Sequence, residues 1–338
     1  LCALLKNICD RYPTYGQAMQ ALVHQLFGQE GLVVLNMDEP SLKRAFIPHL
    51  RRELFDRPSQ ALVEEATKEL EAAGFSGQAF PREINLFYLT DQSRERIVLE
   101  NGRFSVLNTD LSWSEAEMEK ELEQHPECFS PNVVMRPLYQ EAILPNLAYI
   151  GGGGEIAYWL ERKAQFELFG LNFPMLVRRN SVLWIDKGSS KKINKLGLEI
   201  ADLFVETETL VKQFVKNQSE HELNFQAETQ QLQSLFTQIV DKVKTVDPTL
   251  VRTVKAEEAN QMKSFKQLEG RILKAEKQRF EVSLNQIRGL KEKLFPNQGL
   301  QERHDNFMPF YLKHGDDYLQ TLIEVLDPLK KALIILQE

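Results

Sequence analysis

The sequence predicts an α/β fold with an inserted α+β connecting subdomain and a C-terminal α-helical coiled coil. Three observations predict it. Short apolar runs alternate with helical stretches before residue 190, the grammar of an α/β core. Asn101-Gly102 stands between two β-rich runs, the strongest short-range hairpin signal. Beyond Lys191, apolar residues recur at heptad spacing, as in a coiled-coil seam. All three Trp and ten of the 14 Pro lie before residue 190, which marks the same change of character.

A helix is expected over about Tyr15 to Phe27, stopping near Gly28. Gly31-Leu32-Val33-Val34-Leu35-Asn36 is a short apolar run with β-branched residues and reads as a buried strand. Pro40 then opens the next helix. A charged helix near 59–73 ends at Gly74. The runs 85–90, 96–100 and 103–107 read as strands, the last two joined at Asn101-Gly102. Asn132-Val133-Val134-Met135-Arg136 and Leu147-Ala148-Tyr149-Ile150 read as returning strands. With 31–36 they are expected to form one mainly parallel sheet. A helix from about Glu155 to Phe169 follows, then strands at 175–178 and 182–185. The domain boundaries expected from this reading are 1–55 and 131–190 for the α/β core, 56–130 for the insertion and 191–338 for the helical part.

From Lys191 onward the sequence reads as helical throughout. Phe225, Leu232, Ile239 and Val246 are seven apart, with Phe236 and Val243 four residues after Leu232 and Ile239. Asp247-Pro248 breaks the helix. A second helix is expected to run to Leu294, with Leu273, Phe280, Ile287 and Leu294 again at sevens. The helices at about 219–246 and 249–294 would form an antiparallel hairpin projecting from the core. One hairpin cannot bury both seams, so a homodimer through this region is expected.

Composition excludes several classes. Lys plus Arg is 41 and Asp plus Glu is 48, a net charge of −7, which disfavours a nucleic-acid footprint built on clustered positive charge. No run of about 18 apolar residues occurs, so no membrane partner is expected. Cys2, Cys9 and Cys128 make no disulfide framework and fit a reducing cytoplasm. The six histidines, His24, His49, His125, His221, His304 and His314, form no paired-ligand pattern with them, and no metal site is expected. The chain begins at Leu1 rather than Met, which suggests that an N-terminal part is missing.

The stretch from Ser130 to Trp159 is the most informative. Gly151, Gly152, Gly153 and Gly154 lie between a strand and a helix start. Free backbone N–H groups there favour a phosphate or carboxylate, although a tight turn without a ligand explains the glycines equally well. Glu155 either offsets the helix dipole or meets a cationic group such as a substrate amine. Tyr158 and Trp159 fall on the first turns, as core or as a ligand platform. Arg136, read as ending a strand, points toward the crevice where α/β sheets bind ligands, and its fork suits carboxylate or phosphate. Gln140 and Glu141 open the next helix as ligand contacts or as plain first-turn residues. Lys187-Gly188-Ser189-Ser190-Lys191-Lys192 reads as a flexible basic loop, a solvated linker or a phosphate-contacting lid.

The same stretch resembles the bacillithiol biosynthesis cysteine-adding enzymes. That family's pattern is SPNV..RP..QE..LP..AY.GGPGE..YW. The chain carries Ser130-Pro131-Asn132-Val133, Arg136-Pro137, Gln140-Glu141, Leu144-Pro145, Ala148-Tyr149, Gly151-Gly152, Gly154-Glu155 and Tyr158-Trp159. Arg178, Ser181 and the segment Leu294-Phe295-Pro296 to Leu300-Gln301-Glu302-Arg303 extend the likeness toward the C-terminus. Gly153 stands where the family usually has Pro, and the family's TGQQPG-like segment is not in this sequence. The resemblance implies a Rossmann-like core, connecting subdomains and a dimerising coiled coil. It implies a ligase that joins the carboxyl of L-cysteine to the amine of glucosaminyl-malate, with ATP or another nucleotide activating the carboxylate. It names no general base. Asn132, Arg136, Gln140, Glu141, Gly151 to Gly154, Glu155 and Tyr158 are the candidate substrate- or nucleotide-binding residues. A non-catalytic coiled-coil dimer that binds a nucleotide or sugar-acid ligand is the competing reading.

Overall fold

Asn101 and Gly102 both adopt positive φ, 51° and 75°, the geometry that a two-residue hairpin demands and that Asn and Gly tolerate best. The expected hairpin therefore forms. The structure is a computed structural model that describes residues 1–219 and 225–338. His221 and the first residues of the helix expected from 219 lie outside the described residues. The chain divides into two units, 1–180 with 310–331, and 181–309 with 332–338.

The first unit opens with helices α1 (Cys2–Arg11), α2 (Tyr15–Phe27), α3 (Pro40–Ala45), α4 (Ile47–Phe55) and α5 (Ser59–Ala72). Pro40 occupies the first turn of α3 as expected, and Gly74 ends the α5 region at φ 90°. Strands β1 (Leu86–Leu89), β2 (Arg94–Glu100), β3 (Arg103–Val106) and β4 (Ser112–Trp113) follow. Helix α6 (Glu115–Gln124) begins at a capping box between Ser114 and Glu117. Strand β5 (Phe129–Pro131) then closes an antiparallel sheet of order β4-β3-β2-β1-β5.

Two expected strands are absent here. Residues 31–36 form no strand and are largely exposed, Val33 to 81%. A β-branched run gains from strand geometry only where neighbours pack on it. Residues 132–135 form a turn that launches α7 (Arg136–Ile143). The Asn132 carboxamide oxygen accepts the N–H groups of Val134 and Met135 at 2.7 and 3.2 Å. Pro137 suits the first helical turn that follows. This local side-chain capture of the backbone outcompetes the strand preference of Val133 and Val134. The three runs therefore do not share a parallel sheet.

Strand β6 (Ala148–Gly151) forms as expected and pairs in parallel with β7 (Met175–Arg178). The helix expected over 155–169 is two helices, α8 (Gly153–Leu160) and α9 (Lys163–Phe169), interrupted at Glu161-Arg162. That break buries both charges against each other: Glu161 and Arg162 are 1% and 0% exposed and pair at 3.2 Å. The core of this unit joins sheet and helices through Phe46, Leu54, Phe129, Tyr139, Trp159 and Phe166, among others. Each such fully buried apolar side chain contributes roughly 1.5–3 kcal/mol.

The second unit begins with β8 (Ser181–Ile185) and α10 (Lys187–Leu196). The basic segment 187–192 is thus the start of a helix, not a loop. Asp186 caps it by accepting the N–H groups of Gly188 and Ser189, which satisfies donors that a helix start leaves orphaned. Helix α11 (Thr207–Gln218) precedes α12 (Gln226–Val246), and the expected break at Asp247-Pro248 separates α12 from α13 (Val251–Arg279). Helices α12 and α13 pack on each other as a hairpin. The second long helix does not run unbroken to Leu294. Phe280 leaves helical geometry at φ −103°, ψ 13°, and α14 (Glu281–Leu294) follows. Leu284, Ile287, Leu290 and Leu294 on α14 join Val211 of α11 and Ile193 of α10 in a buried cluster. The chain then gives most of α15 (Met308–His314) and all of α16 (Asp316–Val325) to the first unit, and β9 (Leu333–Gln337) of the second unit pairs in parallel with β8. The region after Lys191 is therefore not wholly helical. Among the described residues no helix is long and apolar enough to cross a membrane.

Candidate functional site

The Ser130–Trp159 stretch is anchored from below by a buried polar chain. Glu53, fully buried on α4, accepts from the backbone N–H and side-chain amide of Asn85 at 3.1 and 2.8 Å, and from the Ser59 hydroxyl. Burial is the main cause that pushes the Glu53 carboxyl above the usual carboxylate range. The Asn85 carboxamide oxygen in turn accepts from the side-chain amide of Asn132 at 3.0 Å, and its carbonyl from the Asn132 N–H at 3.1 Å. Asn132 thus spends its side chain on Asn85 and on the turn before α7.

Arg136 is the first residue of α7, not the last of a strand. Its side chain is exposed and makes no hydrogen bond or ion pair among the described residues. Three residues on, the Tyr139 hydroxyl donates to the Met37 carbonyl at 2.7 Å. Burial first, then Asp38, push that hydroxyl up to about 12. Gln140 is half-buried and likewise has no side-chain partner among the described residues. Glu141 is buried and accepts from the Asn146 N–H and side-chain amide at 2.9 and 2.7 Å. It shapes the turn into β6.

The glycines divide into two pairs. Gly151 and Gly152 are buried. A Cβ on Gly151 would come within 2.6 Å of the Tyr149 ring, and that ring is stacked on Trp159 with centroids 3.9 Å apart. Trp159 is 1% exposed, so it is core. The Gly152 N–H donates to the Glu155 carboxylate at 2.6 Å, so Glu155 caps α8. Gly153 and Gly154 are exposed, with nothing within 4 Å of a built Cβ. Their N–H groups lie in the first turn of α8, where no intrahelical acceptor exists. Burial first, then Tyr158 and Glu155, push the Tyr149 hydroxyl above its ordinary range, which places half-buried Tyr158 beside it. No hydrogen bond or ring contact joins Arg136 to the glycine loop among the described residues.

Two cations with no local signal in the sequence hold residues 127–131, the segment that leads into the turn at 132–135. Lys43, buried on α3, donates to the Glu127 carbonyl at 2.7 Å and pairs with Asp38 at 3.1 Å. Arg94, at the start of β2, donates to the Ser130 hydroxyl at 3.2 Å and the Pro131 carbonyl at 3.1 Å, and lies 3.7 Å over the Phe87 ring. No local signal distinguishes Arg94 from Arg96 two residues on. Only the pairing of β1 with β2 and β5 brings it to the motif.

An α/β unit with such a motif, followed in the chain by long paired helices, defines the class: Rossmann-like proteins that carry a coiled-coil domain. Residues 1–180 match the family model "Bacillithiol biosynthesis BshC, N-terminal Rossmann-like domain", and residues 182–338 match "Bacillithiol biosynthesis BshC, C-terminal coiled-coil domain". The chain belongs to the bacillithiol biosynthesis BshC family. It is similar to proteins named "Putative cysteine ligase BshC". That of Flavobacterium johnsoniae is 42% identical over 327 residues, 97% of this chain and 61% of the relative. That of Christiangramia forsetii is 40% identical over 325 residues, 96% of this chain and 60% of the relative. The Bacillus cytotoxicus relative is 28% identical over 324 residues, 94% of this chain and 60% of the relative. The chain thus spans about 60% of the length of the curated relatives it matches.

Proposed function

We propose that this chain is part of a cytoplasmic cysteine ligase that joins the carboxyl of L-cysteine to the amine of glucosaminyl-malate. The observation that carries this reading is its identity of 40–42%, along nearly its whole length, to relatives named as cysteine ligases. A carboxylate does not condense with an amine unaided. ATP, the nucleotide we favour, supplies the chemistry that makes one carboxyl oxygen a leaving group. The residues present suit such an anionic partner: Gly153 and Gly154 leave their backbone open to close approach, and Arg136 is a cation with no internal partner.

In this reading the N–H groups of Gly153 and Gly154 hold an oxyanion, and Arg136 orients a phosphate or carboxylate. Asn132 sets the direction of the α7 start. Gly151 and Gly152 let the loop pack on Tyr149 and Trp159, and Glu155 fixes the helix start. Gln140 and Tyr158 border the substrates, whereas Glu141 contributes through the loop it braces. The N-terminal α/β region and the 56–130 segment form the catalytic part. The helices after 191 dimerise, since Leu235, Leu268 and Ile272 on α12 and α13 stay 52%, 44% and 37% exposed and suit a second copy.

The test is direct. The full-length protein, L-cysteine, glucosaminyl-malate and ATP should yield the amide product by mass spectrometry, with nucleotide consumed in equal amount. No product, with both substrates intact, would refute the ligase reading. Release of AMP and pyrophosphate would identify adenylation, and release of ADP and phosphate an acyl phosphate. For the dimer, the double change Leu235→Glu and Leu268→Glu, at two exposed positions, should shift sedimentation to a monomer at micromolar concentration.

A further inference from the structure

Glu53 stands at the centre of a closed ring of contacts around the turn that launches Arg136. One branch runs through Asn85. One Glu53 carboxylate oxygen accepts the Asn85 N–H and side-chain amide at 3.1 and 2.8 Å. Asn85 in turn receives both the N–H and the side-chain amide of Asn132, where the turn begins. The other branch runs through Ser59. Its hydroxyl donates to the second Glu53 oxygen and lies 3.5 Å from the Met135 sulfur, at the far end of the turn. Gln165 on α9 closes this side. Its amide nitrogen is 2.6 Å from the Ser59 hydroxyl and 3.4 Å from the Met135 sulfur. Glu53, Ser59, Asn85, Met135 and Gln165 are all fully buried.

Both ends of the turn therefore hang from one carboxyl group. Between them, the Asn132 carboxamide oxygen holds the N–H groups of Val134 and Met135, and the Asn132 carbonyl accepts the Arg136 N–H at 2.9 Å. The chain leaves the turn at Arg136, whose side chain is exposed. The donors on Glu53 are neutral, and among the described residues no cation pairs with it. A buried acid without a counter-ion is costly, and an apolar residue of similar size would avoid that cost. What the carboxyl group supplies instead is two acceptor atoms that reach two different elements at once. Without them the buried donors of Asn85 and Ser59 lose their acceptor, and the turn loses its anchors at both ends.

We propose that Glu53 is a positioning residue for Arg136. Through Asn85 and Ser59 it fixes the turn at 132–135, and so sets where the Arg136 guanidinium meets an anionic substrate group. The proposal deepens the ligase reading and rests on it for the role of Arg136 in turnover. It depends on the hydrogen bonds of Glu53, not on its charge. A glutamine keeps them: its oxygen accepts from Asn85, and its NH2 group donates to the Ser59 hydroxyl, whose proton then turns to the Met135 sulfur.

Glu53→Leu and Glu53→Gln are made in the full-length protein, each with and without Arg136→Ala, and kcat/KM for amide formation is measured. Glu53→Leu should lower it about tenfold, less than a misplacement of about 1 Å can cost, and Glu53→Gln should restore it to near the parental value. In the Arg136→Ala background, Glu53→Leu should cost almost nothing further, because it acts through a side chain already removed. An equal loss in both backgrounds overturns the proposal. So does a folded Glu53→Leu protein with parental turnover, or a Glu53→Gln protein as slow as Glu53→Leu. Should Glu53→Leu fail to fold, Ser59→Ala takes its place in the same cycle and is judged by the same outcomes. Amide hydrogen exchange gives a readout apart from the chemistry. Residues 132–136 should exchange about tenfold faster in Glu53→Leu and at the parental rate in Glu53→Gln, with the β2–β3 hairpin unchanged in both. Unchanged exchange of 132–136 in Glu53→Leu overturns the proposal. A parent protein that makes no amide would sink the ligase reading, and exchange of 132–136 would still decide whether Glu53 holds the turn.

Discussion

The carboxylates and the arginines of the Ser130–Trp159 region meet opposite fates. Glu53, Glu141 and Glu155 are each consumed by neighbouring donors: the first under Asn132, the second at Asn146, the third at Gly152. Arg136 keeps its whole guanidinium free, and Arg94 keeps part of its own. The difference separates scaffolding from recognition within one motif. Residues whose hydrogen bonds close on the chain itself set its shape, and those whose capacity stays open are available to a ligand. The open groups are cations and backbone N–H donors, so the region is prepared for negative charge.

That contrast can be broken most directly at Arg136. Arg136→Ala should lower turnover about a hundredfold, the scale of losing one oxyanion donor, yet leave the urea midpoint unmoved. A large drop in stability would place Arg136 with the scaffold. Glu141→Ala should do the reverse. It strands the donors of Asn146 and should cost about 1–3 kcal/mol of unfolding free energy, with turnover of the folded fraction retained. Glu155→Ala removes only a helix cap and should cost about 1 kcal/mol. If it instead abolished turnover while stability held, Glu155 would belong with the ligand-facing groups.

The smallest effects lie in the pH dependence. The Glu53 pKa is raised in the folded state, so its contribution is complete below the unfolded carboxyl pKa and declines as pH rises through the folded one. Asp186 behaves oppositely. Burial alone would raise its pKa, but Lys293 at 2.8 Å and the donors of Ser189 outweigh that and hold the carboxyl well below its usual range. Its contribution is present above the unfolded value and is lost as pH falls through the folded one. Urea unfolding across pH should therefore show Glu53→Gln flattening the decline that sets in as pH rises above the unfolded carboxyl pKa, and Asp186→Asn flattening the acid limb. Matching slopes in parent and variant would show the group to be unperturbed.

Much of this was legible where a local rule decides alone. Asn101-Gly102 announced a hairpin because only certain residues accept positive φ. Pro40 and the Asp247-Pro248 break acted within one turn of the chain. The motif around Arg136 was legible through resemblance, and the membership it implied holds. What failed needed distant information. The Val133-Val134 pair looked like a strand because nothing in its own spacing revealed that Asn132 would capture the following N–H groups. The run 31–36 had strand composition but pairs with no strand among the described residues. Segment 187–192 hid a helix whose cap, Asp186, was visible in the sequence but unweighed against the glycine and serines. Arg94 could not be found at all, since its place against Ser130 and Pro131 depends on strand order.

The pairing of β9 with β8 has a consequence for synthesis. Ile185 and Leu333 are separated by 333 − 185 = 148 residues, yet their strands are hydrogen-bonded neighbours. At about 5–20 residues per second, the ribosome needs roughly 7–30 s to deliver the partner after β8 is made. During that interval β8 presents an unpaired edge with Val182, Leu183, Trp184 and Ile185 on it. The chain therefore passes through a window in which its second unit cannot close, long compared with the microseconds that hairpins and helices need. A nascent-chain chaperone would matter most in that window, and the delivery of β9, not local helix formation, would time the completion of this unit.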